Sequence, residues 1–121
     1  MSYVEGFVAA VPTANREDYR IHASKAAELF RRFGAIRVVE CWGDDVPKGE
    51  VTDFYRAVQA KDDETIVFSW TEWPDKTARD TGMKQIFEEM PELMKDYPMP
   101  FDGKRLIFGG FEPIVDDCGK A

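Results

Sequence analysis

Three segments of the chain read as strands with large apolar side chains at both parities, and this limits what the chain can fold into. Ala35 to Trp42 places Ile36, Val38 and Trp42 on one side and Ala35, Val39 and Cys41 on the other. Thr65 to Trp73 is the clearest strand, with Ile66, Val67, Phe68, Trp70 and Trp73. Arg105 to Phe111 adds Leu106, Ile107, Phe108 and Phe111. Successive strand residues point to opposite faces, so strands of this kind need cover on both sides of their sheet.

The rest of the chain supplies little to cover two faces. At 121 residues it is expected to form one domain over 1–115, with a polar, fraying tail over 116–121. Tyr3 to Val11, with Val4, Phe7, Val8 and Val11, reads as a first strand closed by Pro12. Asn15 is placed to cap a helix in which Tyr19, Ala23, Ala26, Phe30 and Phe33 recur at helical spacing before Gly34 stops it. Gly43 to Glu50 is a loop by composition. Thr52 to Ala60 fits a helical face or a strand parity, and a short helix capped by Thr52 is favoured. Asp75 caps a second long helix with Ala78, Gly82, Ile86 and Met90 on one stripe. Pro91 is expected to break or kink it, leaving Glu92 to Tyr97 as an irregular turn.

Composition removes several classes of function. Residues of the AVILMFWYC set make up 44% of the chain and charged residues 32%, and no apolar run approaches the roughly 20 residues of a spanning helix, so no membrane span is expected. The formal net charge of -7 gives no phosphate footprint, which argues against a nucleic-acid partner. Two cysteines, Cys41 and Cys118, stand outside any CxxC or zinc-type spacing, and the N-terminus shows no export signal, which suits a cytoplasmic protein. Cys41 reads as a buried, inert thiol on a central strand and Cys118 as an exposed one.

Strand, helix, strand, strand, helix, strand is the α+β, ferredoxin-like βαββαβ order, a four-stranded antiparallel sheet with both helices on one face. The opposite face would then leave Val, Ile, Phe or Trp open over more area than a soluble monomer tolerates. The chain holds 9 Phe, 4 Tyr and 3 Trp, too many for one subunit of this size to bury on one side of a sheet. The simplest cover is a second copy, packed sheet to sheet about a twofold axis, so the expected partner is the chain itself.

Particular runs carry a resemblance as well. Trp42 Gly43 Asp44 Asp45 Val46 Pro47, then Thr52 Asp53 Phe54 with Ala57 Val58, then Phe68 Ser69 Trp70 with Trp73 Pro74, Lys76, Arg79 and Asp80 resemble the YbaA-like family of small uncharacterised bacterial proteins. Asp75 stands where that pattern has Ser, a change that keeps an N-cap. The resemblance spans nearly the whole chain and implies membership of the dimeric α+β barrel superfamily. That superfamily also contains antibiotic-biosynthesis monooxygenases, haem-degrading enzymes and muconolactone isomerases. No reaction comes with the family.

Few side chains are available for chemistry. His22 is the only histidine, which rules out Ser/His, Cys/His and multi-histidine metal sites. It sits at the edge of the first helix's apolar stripe, where a base could face a pocket between helix and sheet, or it is a structural boundary residue. Glu40 with Trp42, and Glu72 with Trp70, place a carboxylate and an indole near the ends of two neighbouring strands, an arrangement suited to an aromatic ligand. His22, Glu40 and Glu72 are therefore the candidate bases and Trp42 and Trp70 the candidate pocket walls. No metal or cofactor is expected: Asp44, Asp45 and Asp53 lack the spacing of a calcium loop, and Met83, Met90, Met94 and Met99 are core fillers before they are haem ligands. Two functions fit this set, a cofactor-independent oxygenase or isomerase with a small-molecule pocket, and a non-catalytic dimer that binds a metabolite or a protein. No motif separates them.

Overall fold

The computed structural model describes residues 2–119, so Lys120 and Ala121 of the expected tail lie outside the described residues. Strand β1 (Tyr3–Pro12) leads through a 3₁₀ turn into helix α1 (Arg16–Arg32), followed by β2 (Arg37–Trp42), a one-turn helix α2 (Phe54–Ala57), β3 (Glu64–Trp73), helix α3 (Lys76–Asp96), a second 3₁₀ turn (Gly103–Arg105) and β4 (Ile107–Phe111). All pairings are antiparallel in the order β2-β3-β1-β4. The ferredoxin-like architecture expected from the element order is the one observed. Among the described residues, no helix is long and apolar enough to cross a membrane.

The register assigns every strand residue to a face. On one face Ala9 and Val11 of β1, Val67 and Trp73 of β3 and Val38 and Trp42 of β2 pack beneath Tyr19, Ala23 and Leu29 of α1 and Ile86 of α3. Trp73 is fully buried and fills the space between the two long helices. On the other face lie Val4, Val8 and Trp70, half-buried, and Phe68, Ile107 and Phe111, exposed, with Phe68 46% and Phe111 60% exposed. One corner of this outer face does find cover within the chain, because Tyr55 and Val58, from α2 and its end, pack on Val8, Ala10 and Ile66.

Several local expectations change. The Asn15 side chain does not cap α1 but donates to the Pro100 carbonyl at 3.0 Å, and β4 begins at Ile107 because Arg105 belongs to the second 3₁₀ turn. Helix α3 runs unbroken through Pro91 to Asp96. A proline in a helix interior costs about 3 kcal/mol, and here Leu93, two residues further on, packs into the Trp73 cluster and holds the segment helical. Cys41 is exposed, because β2 is an edge strand and Cys41 lies on the outer face opposite Phe68. β2 begins at Arg37, while Ala35 and Ile36 form the approach to it. Asp53, not Thr52, caps α2: its carboxylate accepts from the Arg56 amide at 2.8 Å and the Gly49 amide at 3.0 Å, which also holds its pKa below the usual carboxylate range.

Two charged clusters hold the sheet's ends. Arg105 forks onto Glu64 with two hydrogen bonds of 2.7 Å, donates to Asp102 at 3.0 Å and reaches the Gln59 carbonyl at 2.8 Å. At the opposite end, Arg79 of α3 bonds the Tyr3 hydroxyl at 2.8 Å and lies 3.3 Å from the buried Glu5 carboxylate. Gly110 of β4 leaves the room this cluster occupies, since a Cβ there would collide with Arg79 and Tyr3.

Arg105→Met should destabilise the protein at neutral pH, because it leaves the Glu64 carboxylate without its guanidinium partner. Hydrogen bonding from Arg105 lowers the Glu64 pKa, so the pair's stabilisation is complete above the ordinary carboxylate range and is lost as pH falls through the depressed value. Urea unfolding of both proteins should accordingly show a difference that is full at neutral pH and shrinks in acid. A second substitution tests the helix packing. A Cβ on Gly82 would lie 2.5 Å from the Phe33 carbonyl oxygen and 2.6 Å from the immobile Trp73 ring. Gly82→Ala should therefore lower the urea midpoint by an equivalent of about 1–3 kcal/mol despite alanine's better helix propensity.

Candidate active site

Helix α1 is hollowed along its buried stripe. Tyr19, His22, Ala23, Ala26, Ala27 and Phe30 follow the i, i+3, i+4, i+7 pattern, and the three alanines fall where larger side chains would reach the sheet. The space left is a cavity of about 130 Å³ between α1, the helix face of the sheet and the segment after α3. Its apolar wall includes Phe7, Val38, Met90, Met99, Phe101 and Leu106, and its polar groups are His22, Tyr19, Glu40, Ser69 and Thr71.

His22 is buried, and its Nδ1 lies 2.8 Å from the Tyr97 carbonyl oxygen at the end of α3. A carbonyl can only accept, so in the neutral ring Nδ1 carries the proton and the lone pair rests on Nε2. The continuation of α3 beyond Pro91 brings that carbonyl into reach, with the Tyr97 amide donating to the Leu93 carbonyl at 3.0 Å.

Glu40 enters the cavity from β2. The Tyr19 hydroxyl donates to Glu40 Oε1 at 2.7 Å. Crowding by protein raises the Glu40 pKa, and hydrogen bonds from Tyr19 and Ser69 oppose that rise. Although its carboxyl is hemmed in on the cavity side, the Glu40 residue is exposed toward a groove of about 520 Å³ between α1 and β2. Burial and the Glu40 charge push the Tyr19 hydroxyl well above the usual tyrosine range, so it keeps its proton. The cavity thus combines a ring nitrogen with a free lone pair, a carboxyl group and a phenol fixed as donor.

The five sequence candidates separate into two groups. His22 and Glu40 line one cavity, and Trp42 lies beside it with its ring centroid 6.4 Å from that of Tyr19. Glu72 and Trp70 stand on the outer face, where the Trp70 indole N–H donates to Glu72 Oε2 at 2.9 Å and Arg37 lies 3.6 Å from the same oxygen. The β2–β3 register pairs even positions with odd ones, Val39 with Trp70 and Glu40 with Ser69, so equal parity in sequence means opposite faces in the sheet. Ser69, Thr71 and Tyr19 were absent from the candidates. Two hydroxyl residues at the inward parity of β3, between Val67 and Trp73, are the signal that marks polar lining.

The outer face carries a larger concavity, about 730 Å³, lined by Val4, Val8, Phe68, Trp70, Ile107 and Phe111 among others. Like the helix-face cavity it is mainly apolar, but it lacks that cavity's histidine and tyrosine.

Comparison with known proteins agrees with this architecture. The chain is 52% identical over 119 residues to the Uncharacterized protein YbaA of Escherichia coli (strain K12), covering 97% of this chain and 100% of the relative. Among solved structures it resembles SnoaB, a cofactor-independent oxygenase from Streptomyces nogalater, with a TM-score of 0.58 at 14% identity over 95% of both chains. It also resembles a dimeric ferredoxin-like protein from an uncultured marine organism, with a TM-score of 0.53 at 10% identity over 91% of both chains. At such identities the likeness is one of fold. The family described as a protein of unknown function, DUF1428, matches residues 2–103, and together with the full-length likeness to YbaA this shows that the chain belongs to that family.

Proposed function

We propose that the protein is a homodimeric α+β barrel whose helix-face cavity binds a small, partly aromatic molecule and removes a proton from it without a cofactor, as an oxygenase or isomerase. The observation that carries the reading is His22, buried beside Glu40 with Nδ1 held to the Tyr97 carbonyl and the lone pair left on Nε2. A base of this kind takes a proton from an activated carbon, and apolar walls protect the anion from water. With dioxygen as oxidant, an activated methylene becomes a carbonyl: one oxygen atom is retained by the product and the other leaves as water with the two methylene protons. Without an oxidant, return of the proton to another carbon gives an isomer. The cofactor-independent oxygenase of similar fold supports this direction.

Oxygen uptake and product analysis over a panel of phenols and enolisable ketones test the reading. Turnover by the wild type should fall by at least about 100-fold in His22→Gln, with the urea midpoint monitored to separate chemistry from folding. Turnover at the wild-type rate in the variant would remove His22 from the reaction.

Dimerisation rests on the uncovered outer face. Phe68, Ile107 and Phe111 form an apolar surface that a second copy of the sheet would cover, and a dimeric protein of similar fold supports the pairing. Light scattering at micromolar concentration should give the mass of a dimer, and Phe68→Asp should give a monomer. A wild-type monomer would contradict the assembly.

A further inference from the structure

The groove between α1 and β2 and the cavity behind it adjoin across a shared wall. Five residues line both: Tyr19, Ala23, Ala27, Val38 and Glu40. The Tyr19–Glu40 hydrogen bond therefore stands between them, with about 520 Å³ of groove outside and about 130 Å³ of cavity inside.

The two compartments differ in charge. Among the described residues no lysine or arginine lines the inner cavity and Glu40 contributes the only carboxyl there, so an anionic group would find no counter-charge from them inside. The groove holds two arginines. Arg20 is occupied, since its guanidinium makes three contacts of 2.6 to 3.1 Å with the Glu17 carboxylate. Arg16 makes no side-chain hydrogen bond or ion pair among the described residues, and its guanidinium carbon lies 5.5 Å from the Trp42 ring centroid. A guanidinium attracted to an indole face in this way still has N–H groups to offer a carboxylate.

We infer that the ligand of this site is a small aromatic carboxylic acid, bound with its carboxylate on Arg16 in the groove and its neutral, proton-bearing end past Tyr19 and Glu40 in the cavity. The assignment rests on the pocket reading above and specifies which end of the molecule enters. Trp42 gives the ring a flat apolar neighbour at the mouth, and the alanine stripe of α1 leaves a slot for it. The inner end meets His22, Glu40, Ser69 and Thr71, which suit a hydroxyl or carbonyl group. The unpaired arginine at the outer end and the absence of any cation at the inner end set the direction.

Two probes isolate the charge: 3-(4-hydroxyphenyl)propanoate and its primary amide, alike in shape. Titration followed by the His22 ring resonances, at neutral pH and low salt, should show both probes reaching the cavity and the acid binding at least about fivefold more tightly. In Arg16→Gln the acid should lose that advantage while the amide keeps its affinity, a split that a folding defect would not produce. Equal binding of the two probes to the wild type, or an unchanged preference in Arg16→Gln, overturns the acid assignment and leaves the pocket standing. If neither probe moves the His22 resonances up to about 5 mM, a weak-binding limit of about 3 kcal/mol, the acid assignment and the pocket reading both fail.

Discussion

Two long helices can cover only one face of a four-stranded sheet, and most of what is particular to this protein follows from that constraint. Helices α1 and α3 lie over Ala9, Val11, Val67 and Trp73, and the chain keeps only α2 and its flanking loop for the other side. That segment covers Ala10 and Ile66 and ends there. The remaining outer face presents aromatic side chains whose burial would yield about 25 cal/mol per Å² removed from water. The same division gives the two faces different characters, an open apolar surface on one and a small cavity with a few polar groups on the other.

The cavity exists because α1 uses small residues where it passes over the middle of the sheet. Three alanines produce the hollow, and larger residues close its ends: Tyr19 toward Trp42 and Phe101, Phe30 toward Trp73. Polar groups inside such a space need partners. Tyr19 and Glu40 satisfy one another, and His22 uses the Tyr97 carbonyl. Each of these bonds fixes a proton: Tyr19 keeps its own, and the imidazole holds its proton on Nδ1. The groups are thus oriented by the fold before any ligand arrives.

The element order, the single-sided helix cover and the surplus of apolar outer-face residues were legible because they depend on alternation within each strand. Which strand positions face one another was not, because register is a relation between strands. Glu40 and Glu72 therefore looked equivalent in sequence, and the odd-to-even pairing of β2 with β3 sends them to opposite faces. His22 was legible as a boundary residue of α1, but its Nδ1 partner was not, since Tyr97 follows a helix that Pro91 was expected to end. Cys41 was misplaced for a related reason: apolar residues at both parities of β2 imply a central strand, and the sheet order makes it an edge.

The passage of α3 through Pro91 has a dynamic consequence. Proline supplies no amide hydrogen, so the Phe87 carbonyl lacks its normal helical donor, and the backbone ladder of α3 is interrupted just before its last turn. Helix ends with weakened ladders open locally at far lower cost than global unfolding. When this turn opens, the Tyr97 carbonyl leaves Nδ1 and the imidazole is free to exchange tautomers, which places a proton on Nε2 and turns the ring from acceptor to donor toward the cavity. The fraying equilibrium of a helix terminus is thereby coupled to the orientation of the His22 ring, because one carbonyl belongs to both.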